Sequence, residues 1–397
     1  MDLSPEVGKV FHPLVFRRVS IIPMTPRLIA PLRLAAALVA AAPAPSAAAS
    51  APKHLILIMM ENHGTDTLLG NKEDAPFVTE LVTQPGVRFV TQYYGVTHPS
   101  LPNYLALIAG DEMGIHDDCK AGADIKCKPE EFVPDADESA EAGHLLTEEE
   151  ERKAADTAHL FPGKTLIDQL DEAKVTWKVY MQGLPADRKT VEYWPLDADG
   201  KVVAKLYAQK HNPFVYFSDF TSNPDRMAKL LPDDGFAADL KGDLAGFTWL
   251  SPDQCHDMHG ISAKSAAVIG APNCGYPASG LDHSVIRLGD DYLRQTVEAV
   301  RSSPVSKDDT AIILVWDEDD YAAAGGLKGS PIGRNGVVLG GGRAPLIVVT
   351  SKDNPARKID APYNHYNLLA TLEAAYGVDC LGHACEAKDA LIDGLFE

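Results

Sequence analysis

A serine stands at a position where the chain could form a nucleophile. Ser100 follows Pro99 and opens an apolar run that extends to Gly110, a pattern that predicts the start of a helix. The first-turn N–H groups of a helix have no partners within it, so they can bind an anion beside such a hydroxyl. Serine is equally a favoured helix cap, and the local pattern leaves a catalytic and a capping Ser100 open.

Acidic and amide side chains follow two apolar runs of the chain. Glu61 and Asn62 come directly after residues 54–60, and the carboxylates of Asp317–Asp320 come directly after residues 310–316. Adjacent carboxylates repel one another unless a cation neutralises them, and oxygen ligands suit a divalent metal. We therefore predict a metal at these positions, which could hold a nearby serine hydroxyl deprotonated. Together these residues indicate hydrolysis of an anionic ester, most simply a phosphate.

Histidines provide two further candidate groups. Imidazoles and carboxylates alternate within residues 253–259, as Asp253, His256, Asp257 and His259. This set suits either a divalent metal or contact with a phosphate. His365 opens a helical pattern, where a single histidine is more often a cap or a surface residue. Because His365 lies at a further junction between a loop and a helix, we count it with the other polar groups as a candidate site residue.

Six apolar runs without alternation predict strands that are buried on both faces. The runs cover residues 54–60, 87–94, 175–181, 247–250, 310–316 and 344–350. Helical periodicity falls between several of them, at residues 165–173, 284–300 and 364–376. This alternation predicts an α/β fold with a doubly wound, mostly parallel central sheet and helices on both faces. Ligands bind at the carboxyl ends of such strands, where Glu61 and Asp317 lie.

The charge of the chain limits its partners. The 397 residues carry a formal net charge of −20. A field of this sign argues against non-specific binding to nucleic acid or to anionic membranes, so we expect no nucleic-acid partner. It also repels a small phosphorylated substrate, and a bound cation would reverse the field locally. The charge therefore favours a metal site.

The N-terminal residues have the character of an export signal. Arginines precede an apolar run at residues 34–42, and small residues at 46–51 offer a cleavage site. The run is too short to span a bilayer, so we expect no stable membrane insertion after cleavage. The prediction is a secreted or periplasmic protein, and a disordered alanine-rich tail is the alternative.

We expect residues 1–51 to be a signal peptide with an N-terminal extension and residues 52–397 to form a single domain. Three segments interrupt the pattern of the domain, near residues 117–157, 261–281 and 322–342. We interpret the acidic first segment as a solvated insertion and the second as a loop. The third is rich in glycine and follows the acidic cluster, which is typical of a lid over a site.

The six cysteines agree with export to an oxidising compartment. Because short loops close at the lowest entropic cost, the simplest hypothesis pairs sequence neighbours. The pairs are Cys119 with Cys127, Cys255 with Cys274, and Cys380 with Cys385. None of these cysteines has C-x-x-C spacing, which argues against a structural zinc site.

Several short motifs together resemble a known family. The motifs are Met60–His63, Thr97–Tyr104, Asp257–His259, Leu288–Asp290, Val315–Asp320 and Asn364–Asn367. They are similar to those of the bacterial phosphoesterase family that holds secreted acid phosphatases and phospholipases C, within the alkaline phosphatase-like superfamily. The resemblance extends from about residue 54 to residue 380 and is strongest to the acid phosphatases around Ser100 and Asp317.

The resemblance implies a divalent metal ion held by Glu61, Asn62, Asp317 and Glu318. Oxygen ligands of this kind suit Ca²⁺, Mg²⁺ or Mn²⁺, and added histidines would move the choice towards Zn²⁺. The resemblance does not fix the number of ions.

The resemblance also implies roles for the remaining candidates. Ser100 would be the nucleophile that takes the phosphoryl group. His259, together with His256, would contact the phosphate or protonate the leaving oxygen. Asp253, Asp257 and His365 occupy places where ligands of a second ion lie in two-metal relatives.

The expected function is metal-dependent hydrolysis of phosphate monoesters through a phosphoserine intermediate, an acid phosphatase-like activity. A phospholipase C-type phosphodiesterase is the alternative, although no apolar surface helix or basic membrane patch is evident. A sulfatase is disfavoured because Tyr104 stands where the sulfatase pattern has an arginine. An inactive secreted binding module is the weakest alternative, because every proposed ligand type is retained.

Overall fold

The computed structural model describes residues 50–129, 148–185, 191–277, 281–319 and 341–397. Backbone contacts group these residues into one compact unit, Ala47–Glu397. Three expectations lie largely or wholly outside the described residues: the signal peptide, Asp320 and the glycine-rich lid. No helix in the described ranges is both long and apolar enough to cross a bilayer.

Strands in the described residues form one large sheet and one hairpin. They are β1 (His54–Met60), β2 (Val87–Tyr94), β3 (Trp177–Met181), β4 (Tyr193–Leu196), β5 (Val202–Ala208), β6 (Leu230–Pro232), β7 (Phe247–Ser251), β8 (Thr310–Trp316), β9 (Leu346–Thr350) and β10 (Arg357–Asn364). The large sheet has the order β10-β2-β9-β8-β1-β7-β3-β6, and β4 pairs with β5 alone.

The large sheet is mostly parallel. Only β9 runs antiparallel to its neighbours, β2 and β8. The remaining pairs are parallel, which places the carboxyl ends of β1, β7 and β8 at one edge. The predicted α/β fold with a mostly parallel sheet is confirmed. Strands β1, β2 and β8 have the predicted bounds, and the other three predicted strands differ by one or two residues.

Two strands of this sheet were missed because their sequences are not strand-like. β10 is largely exposed and contains Pro362, which is confined to edge strands because it cannot donate a ladder hydrogen bond. It forms by pairing with β2 at the end of the sheet. β6 has only three residues and pairs with β3 at the other end. Tertiary pairing, and not local propensity, makes both strands.

Helices connect the strands. They are α1 (Thr65–Leu68), α2 (Pro76–Leu81), α3 (Ser100–Ala109), α4 (Glu148–Asp156), α5 (Leu166–Glu172), α6 (Ser218–Thr221), α7 (Pro224–Met227), α8 (Asp234–Asp239), α9 (Ala263–Val268), α10 (His283–Ser302), α11 (His365–Tyr376) and α12 (Ala384–Ala387). Short 3-10 helices lie at Gln209–His211, Pro213–Tyr216, Pro272–Cys274 and Pro304–Lys307. The predicted helices correspond to α3, α5, α10 and α11.

The core consists of two apolar layers, one on each face of the sheet. Leu55 and Leu57 of β1 pack into one layer with residues of α3, α5 and α11. Ile56 and Ile58 pack into the other with residues of α2 and α10. Since both faces of β1 are covered, its sequence shows no alternation. Burial on both faces also fixes the position of whatever follows the strand.

All three predicted disulfides are confirmed. They join Cys119 to Cys127, Cys255 to Cys274, and Cys380 to Cys385. The second joins Cys255 to Cys274 of the 261–281 segment. The described residues of this segment contain α9 and a 3-10 helix, so the segment is more ordered than a loop.

Candidate active site

Two neighbouring strands bring Glu61 and Asp317 together. Strands β1 and β8 pair in register up to Met60, which lies opposite Trp316. The residues that follow, Glu61 and Asp317, therefore lie side by side. The Asp317 N–H donates to the Met60 carbonyl over 3.0 Å. Both Glu61 and Asp317 are fully buried. The carboxyl edge of the sheet thus holds two carboxylates away from water.

Asn62 turns the chain sharply after β1. Its φ of 54° lies in the left-handed region, which asparagine tolerates better than most residues. This turn lets the Asn62 N–H donate to Asp317 Oδ1 over 3.0 Å. The amide oxygen Oδ1 is buried and has no hydrogen-bond partner in the described residues.

The Ser100 hydroxyl bonds a carboxylate and does not cap the helix. The N-cap of α3 is Pro99, and Ser100 is the first helical residue. Ser100 Oγ donates to Glu61 Oε2 over 2.9 Å, and the Tyr104 hydroxyl, one turn further along α3, donates to Glu61 Oε1 over 2.5 Å. The capping alternative for Ser100 therefore has no support, since its hydroxyl bonds a carboxylate.

Glu318 lies beside this pair in a separate charged contact. Asn103 Nδ2 donates to Glu318 Oε2 over 3.1 Å, and His98 Nδ1 lies 2.9 Å from the same oxygen. His98 Nε2 lies 3.3 Å from Asp319 Oδ1. Burial alone would lower the pKa of His98, but the two carboxylates raise it to about 10. Burial raises the pKa of Glu318 to about 7 although His98 opposes this.

Lys210 and His211 complete the site, and the sequence analysis missed both. They lie on the 3-10 helix Gln209–His211 that follows β5. Lys210 Nζ lies 3.3 Å from Ser100 Oγ and donates to Asp118 Oδ2 over 2.7 Å. Burial lowers the pKa of Lys210, but the carboxylates of Asp118 and Glu61 outweigh this and raise it. Lys210 is therefore a buried ammonium next to the serine.

His211 lies between two carboxylates. Its Nε2 lies 3.2 Å from Glu61 Oε1 and its Nδ1 lies 3.1 Å from Asp257 Oδ2. The ring stacks on Tyr104 with centroids 5.5 Å apart. Burial and the charge of Lys210 lower the pKa of His211, which keeps the ring neutral. The sequence signal at this position is an adjacent Lys-His pair that begins two residues after the end of β5, and no continuous apolar run accompanies it.

His259 presents one nitrogen to the site. Its Nδ1 lies 2.8 Å from the Gly260 carbonyl, which can only accept, so Nδ1 carries the proton. Nε2 is then unprotonated, and it accepts from Lys210 Nζ over 3.2 Å. Burial and the charge of Lys210 lower the pKa of His259 to about 3. A ring fixed in this way can accept a proton or bind a cation.

Asp257 joins the site and His256 does not. The Asp257 carbonyl accepts from the Glu61 N–H over 2.8 Å, and its Oδ1 accepts from the His259 N–H over 2.7 Å. Burial and the charge of Glu61 raise the pKa of Asp257. His256 instead bonds Asp253 at 2.7 Å and packs on Tyr292, so the predicted catalytic role of His256 has no geometric support.

His365 lies beneath the site. Its Nε2 donates to the Asp317 carbonyl over 2.6 Å, and its Nδ1 accepts from the Tyr93 hydroxyl over 2.7 Å. Burial lowers the pKa of His365 to about 4. Because both ring nitrogens are already bonded, binding a cation would break one of these bonds. The expected metal-ligand role of His365 stays a prediction, and in this structure the ring holds the Asp317 backbone.

The donor set at this edge fits a metal ion. Within the described residues, Asn62 Oδ1 and Asp317 Oδ2 are buried at this edge without a hydrogen-bond partner. His211 Nε2 and Asp257 Oδ2 have only the contacts with Glu61 and His211 given above, which lack hydrogen-bond geometry. Burial and the charge of Asp317 raise the pKa of Glu61, and burial and the charge of Glu318 raise the pKa of Asp317. Glu61, His211 and His259 also offer ligand atoms within 4.8 Å of one another. A cation would satisfy these atoms and remove the repulsion.

The first insertion reaches the site as well. Asp117 is buried and bonds His159 Nε2 at 2.6 Å, and Asp118 contacts Lys210. This part of the predicted solvated insertion is therefore packed, because the cysteine loop turns it inward. The prediction for residues 130–147 lies outside the described residues.

Comparison with known proteins gives consistent matches. The profile of the Phosphoesterase family matches residues 71–379. A protein named "Probable acid phosphatase" from Kluyveromyces lactis is 22% identical over 334 residues, 83% of this chain and 59% of that protein. The chain thus spans about three-fifths of that relative.

Two other matches are more fully covered. A phosphatidylinositol-3-phosphatase of Mycobacterium tuberculosis is 24% identical over 335 residues, 84% of this chain and 80% of that protein. A crystal structure of a protein in the alkaline phosphatase superfamily from Vibrio parahaemolyticus aligns with a TM-score of 0.42 and 16% identity, covering 84% of this chain and 68% of that one.

Proposed function

Because the chain belongs to the phosphoesterase family, we propose that it is a metal-dependent phosphatase that hydrolyses phosphate monoesters through a phosphoserine on Ser100. One observation carries the proposal. The buried Ser100 hydroxyl donates to the Glu61 carboxylate and lies 3.3 Å from the Lys210 ammonium. The hydroxyl has a proton acceptor on one side and a positive charge on the other. This arrangement suits nucleophilic attack on an anion.

The first step transfers the phosphoryl group to the serine. Ser100 Oγ attacks phosphorus as its proton passes to Glu61, its hydrogen-bond acceptor. The Oγ–P bond forms, the bond from phosphorus to the ester oxygen breaks, and the departing oxygen takes a proton from the solvent. In the second step water attacks phosphorus, the Oγ–P bond breaks, and the proton held by Glu61 returns to Ser100 Oγ. Phosphate leaves, and the attacking water gives one proton back to the solvent.

Lys210 and the start of α3 stabilise the charge of the phosphoryl group. The Lys210 ammonium is buried, so its charge acts at low dielectric and is little screened. The N–H groups of the first turn of α3 provide further donors. His259 Nε2 lies 3.2 Å from Lys210 Nζ and is unprotonated at rest. The negative charge of a bound phosphate ester favours the imidazolium form, and the protonated Nε2 then contacts the phosphoryl group or the departing oxygen.

Glu61, Asn62 and Asp317 would hold a divalent cation, with Glu318 as the remaining predicted ligand. When bound, the cation would supply positive charge beside the Ser100 oxygen and the phosphoryl group. The oxygen donors suit Ca²⁺, Mg²⁺ or Mn²⁺, and participation of His211 or His259 would favour Zn²⁺. We propose that the protein works outside the cytoplasm, as its disulfides and the predicted signal suggest.

A substrate panel tests the proposal. p-Nitrophenyl phosphate, bis-p-nitrophenyl phosphate, p-nitrophenyl phosphorylcholine and p-nitrophenyl sulfate would be assayed across pH, with and without chelator. We expect the monoester to be preferred and the chelator to abolish turnover. Preference for either diester would establish the phospholipase C-type alternative. Absence of turnover on every ester after metal reconstitution would leave the binding-module alternative.

A further inference from the structure

Asp118 binds the donors on either side of the nucleophile. Its Oδ1 accepts from the Leu101 N–H over 3.0 Å, and Leu101 directly follows Ser100 on α3. Its Oδ2 accepts from Lys210 Nζ over 2.7 Å, and the same ammonium lies 3.3 Å from Ser100 Oγ. The Asp118 carboxylate therefore accepts hydrogen bonds both from a helix N–H and from the buried ammonium beside the serine.

These two donors are the ones that a phosphoryl group attacked by Ser100 would need. First-turn N–H groups and ammonium groups are common donors to phosphate oxygens. A carboxylate presents two oxygens to them much as a phosphoryl group would. We propose that Asp118 stands in for the substrate phosphate at rest and thereby sets the affinity for phosphate esters and for inorganic phosphate. The inference rests on the proposed function.

Asp118 can leave this position without movement of its loop. The neighbouring Asp117 is fixed to His159 at 2.6 Å, and Cys119 is fixed by its disulfide to Cys127 and by the Tyr216 hydroxyl, which donates to its carbonyl over 2.7 Å. The Asp118 side chain itself is 20% exposed. Rotation of one side chain towards solvent therefore frees both donors.

Charge makes the exchange necessary. A phosphate dianion and the Asp118 carboxylate cannot share the same two donors without repelling each other. Phosphate must therefore displace Asp118, and its observed affinity is reduced by the free energy of that displacement. Removal of the negative charge should increase phosphate affinity by about tenfold or more, since like charges a few ångströms apart interact strongly at a partly buried site.

The test compares Asp118→Asn with Asp124→Asn. Asp124 is an exposed residue of the same cysteine loop, so its variant loses the same charge away from the site. The inhibition constant of inorganic phosphate against p-nitrophenyl phosphate would be measured for both variants and the wild type. We expect it to fall about tenfold or more for Asp118→Asn and to stay unchanged for Asp124→Asn.

An unchanged or weaker affinity for phosphate in folded Asp118→Asn would overturn the inference. If the wild type hydrolysed no ester, the proposed function would fail, and calorimetric titration of inorganic phosphate into the same proteins would still decide the inference. If Asp118→Asn did not fold, a crystal structure of the wild type with vanadate would decide it. An Asp118 carboxylate still bonded to Leu101 and Lys210 beside bound vanadate would refute displacement.

Discussion

The candidate active site has two halves that are built differently. The carboxylate half consists of Glu61, Asn62, Asp317 and Glu318, which follow two paired central strands. The histidine–lysine half consists of Lys210, His211 and His259, which lie on connections outside those strands. In-register pairing of strands buried on both faces fixes the first half, whereas packing of a 3-10 helix and a loop fixes the second.

This difference suggests a division of labour. A cation needs several ligands held at fixed distances, and the edge of a sheet provides that rigidity. Groups that contact a substrate must admit and release it, and connections between strands adapt more easily. We therefore expect substitutions in the carboxylate half to remove the metal and those in the histidine–lysine half to alter the reaction while the metal stays bound.

The largest effect is expected at Ser100, which contacts both halves. Ser100→Ala should reduce turnover of the best phosphate ester by roughly 10⁴-fold or more, because the covalent step disappears. Loss of the hydroxyl should lower the free energy of unfolding by about 1–3 kcal/mol, because the buried Glu61 carboxylate loses a hydrogen bond. Steady-state kinetics and thermal unfolding measure the two effects. A variant that retained a tenth of the wild-type rate would show that Ser100 is not the nucleophile.

Asp317→Asn probes the carboxylate half. We expect a loss of at least about 10²-fold in metal affinity, with a parallel loss of activity. The metal-free variant should be more stable than the metal-free wild type, because burial and repulsion from Glu318 disfavour the Asp317 charge. Elemental analysis and thermal unfolding in chelator provide both readings. Full metal occupancy in the variant would remove Asp317 from the ligand set.

His259→Ala probes the histidine–lysine half. We expect the metal to remain while the rate falls by about 10²-fold on esters with poor leaving groups. The loss should be smaller for p-nitrophenyl phosphate, whose leaving group needs little protonation. Metal content and the two rates would be measured on the same preparation. A metal-free variant would instead assign His259 to a metal shared with Glu61 and His211, and the division between the halves would be wrong.

Glu373 is a buried carboxylate outside both halves and provides a control. Burial raises its pKa to about 7, although Gln169 Nε2 and the Leu381 N–H donate to it. The folded protein therefore binds the proton more tightly than the unfolded chain, and stability falls as pH rises from about 4.5 to 7. Glu373→Gln removes this loss.

We expect Glu373→Gln to match the wild type at pH 4 and to be more stable at pH 8 by up to about 3 kcal/mol, the free energy that a pKa raised from 4.5 to about 7 corresponds to. This is a melting-temperature increase of several degrees. Turnover and metal content should not change. Thermal unfolding across pH provides the measurement. An equal stability difference at both pH values would show that Glu373 does not titrate in this range, and a change in activity would connect it to the site.

The positions of the carboxylate half could be predicted from sequence because the strands that precede its residues are easily recognised. Continuous apolar runs such as residues 54–60 predict a central strand. The polar residue that follows such a strand lies at the ligand-binding edge of the sheet. The strand order was not needed for this step. Pairing of β1 with β8 then places Glu61 beside Asp317.

The histidine–lysine half could not be predicted in this way. Lys210 and His211 follow β5, which is partly exposed and belongs to a separate hairpin, so no apolar run announces their position. His256 and His259 are three residues apart, and only the loop conformation decides which of them faces the site. Such conformations depend on tertiary contacts that local sequence does not encode.

The placement of the cysteines has a consequence for maturation of the chain. The disulfides span sequence separations of only 8, 19 and 5 residues. A bridge between different loops would have to close ~100 residues or more, which costs about 2 kcal/mol of additional closure free energy in the unfolded chain.

Native pairs are therefore favoured before the sheet exists, and the chain needs little reshuffling by an isomerase. Each bridge can form soon after its own short segment enters an oxidising compartment, independently of the slow assembly of distant strands. Recombinant production can accordingly separate oxidation from folding in time, with the three crosslinks made before the sheet assembles.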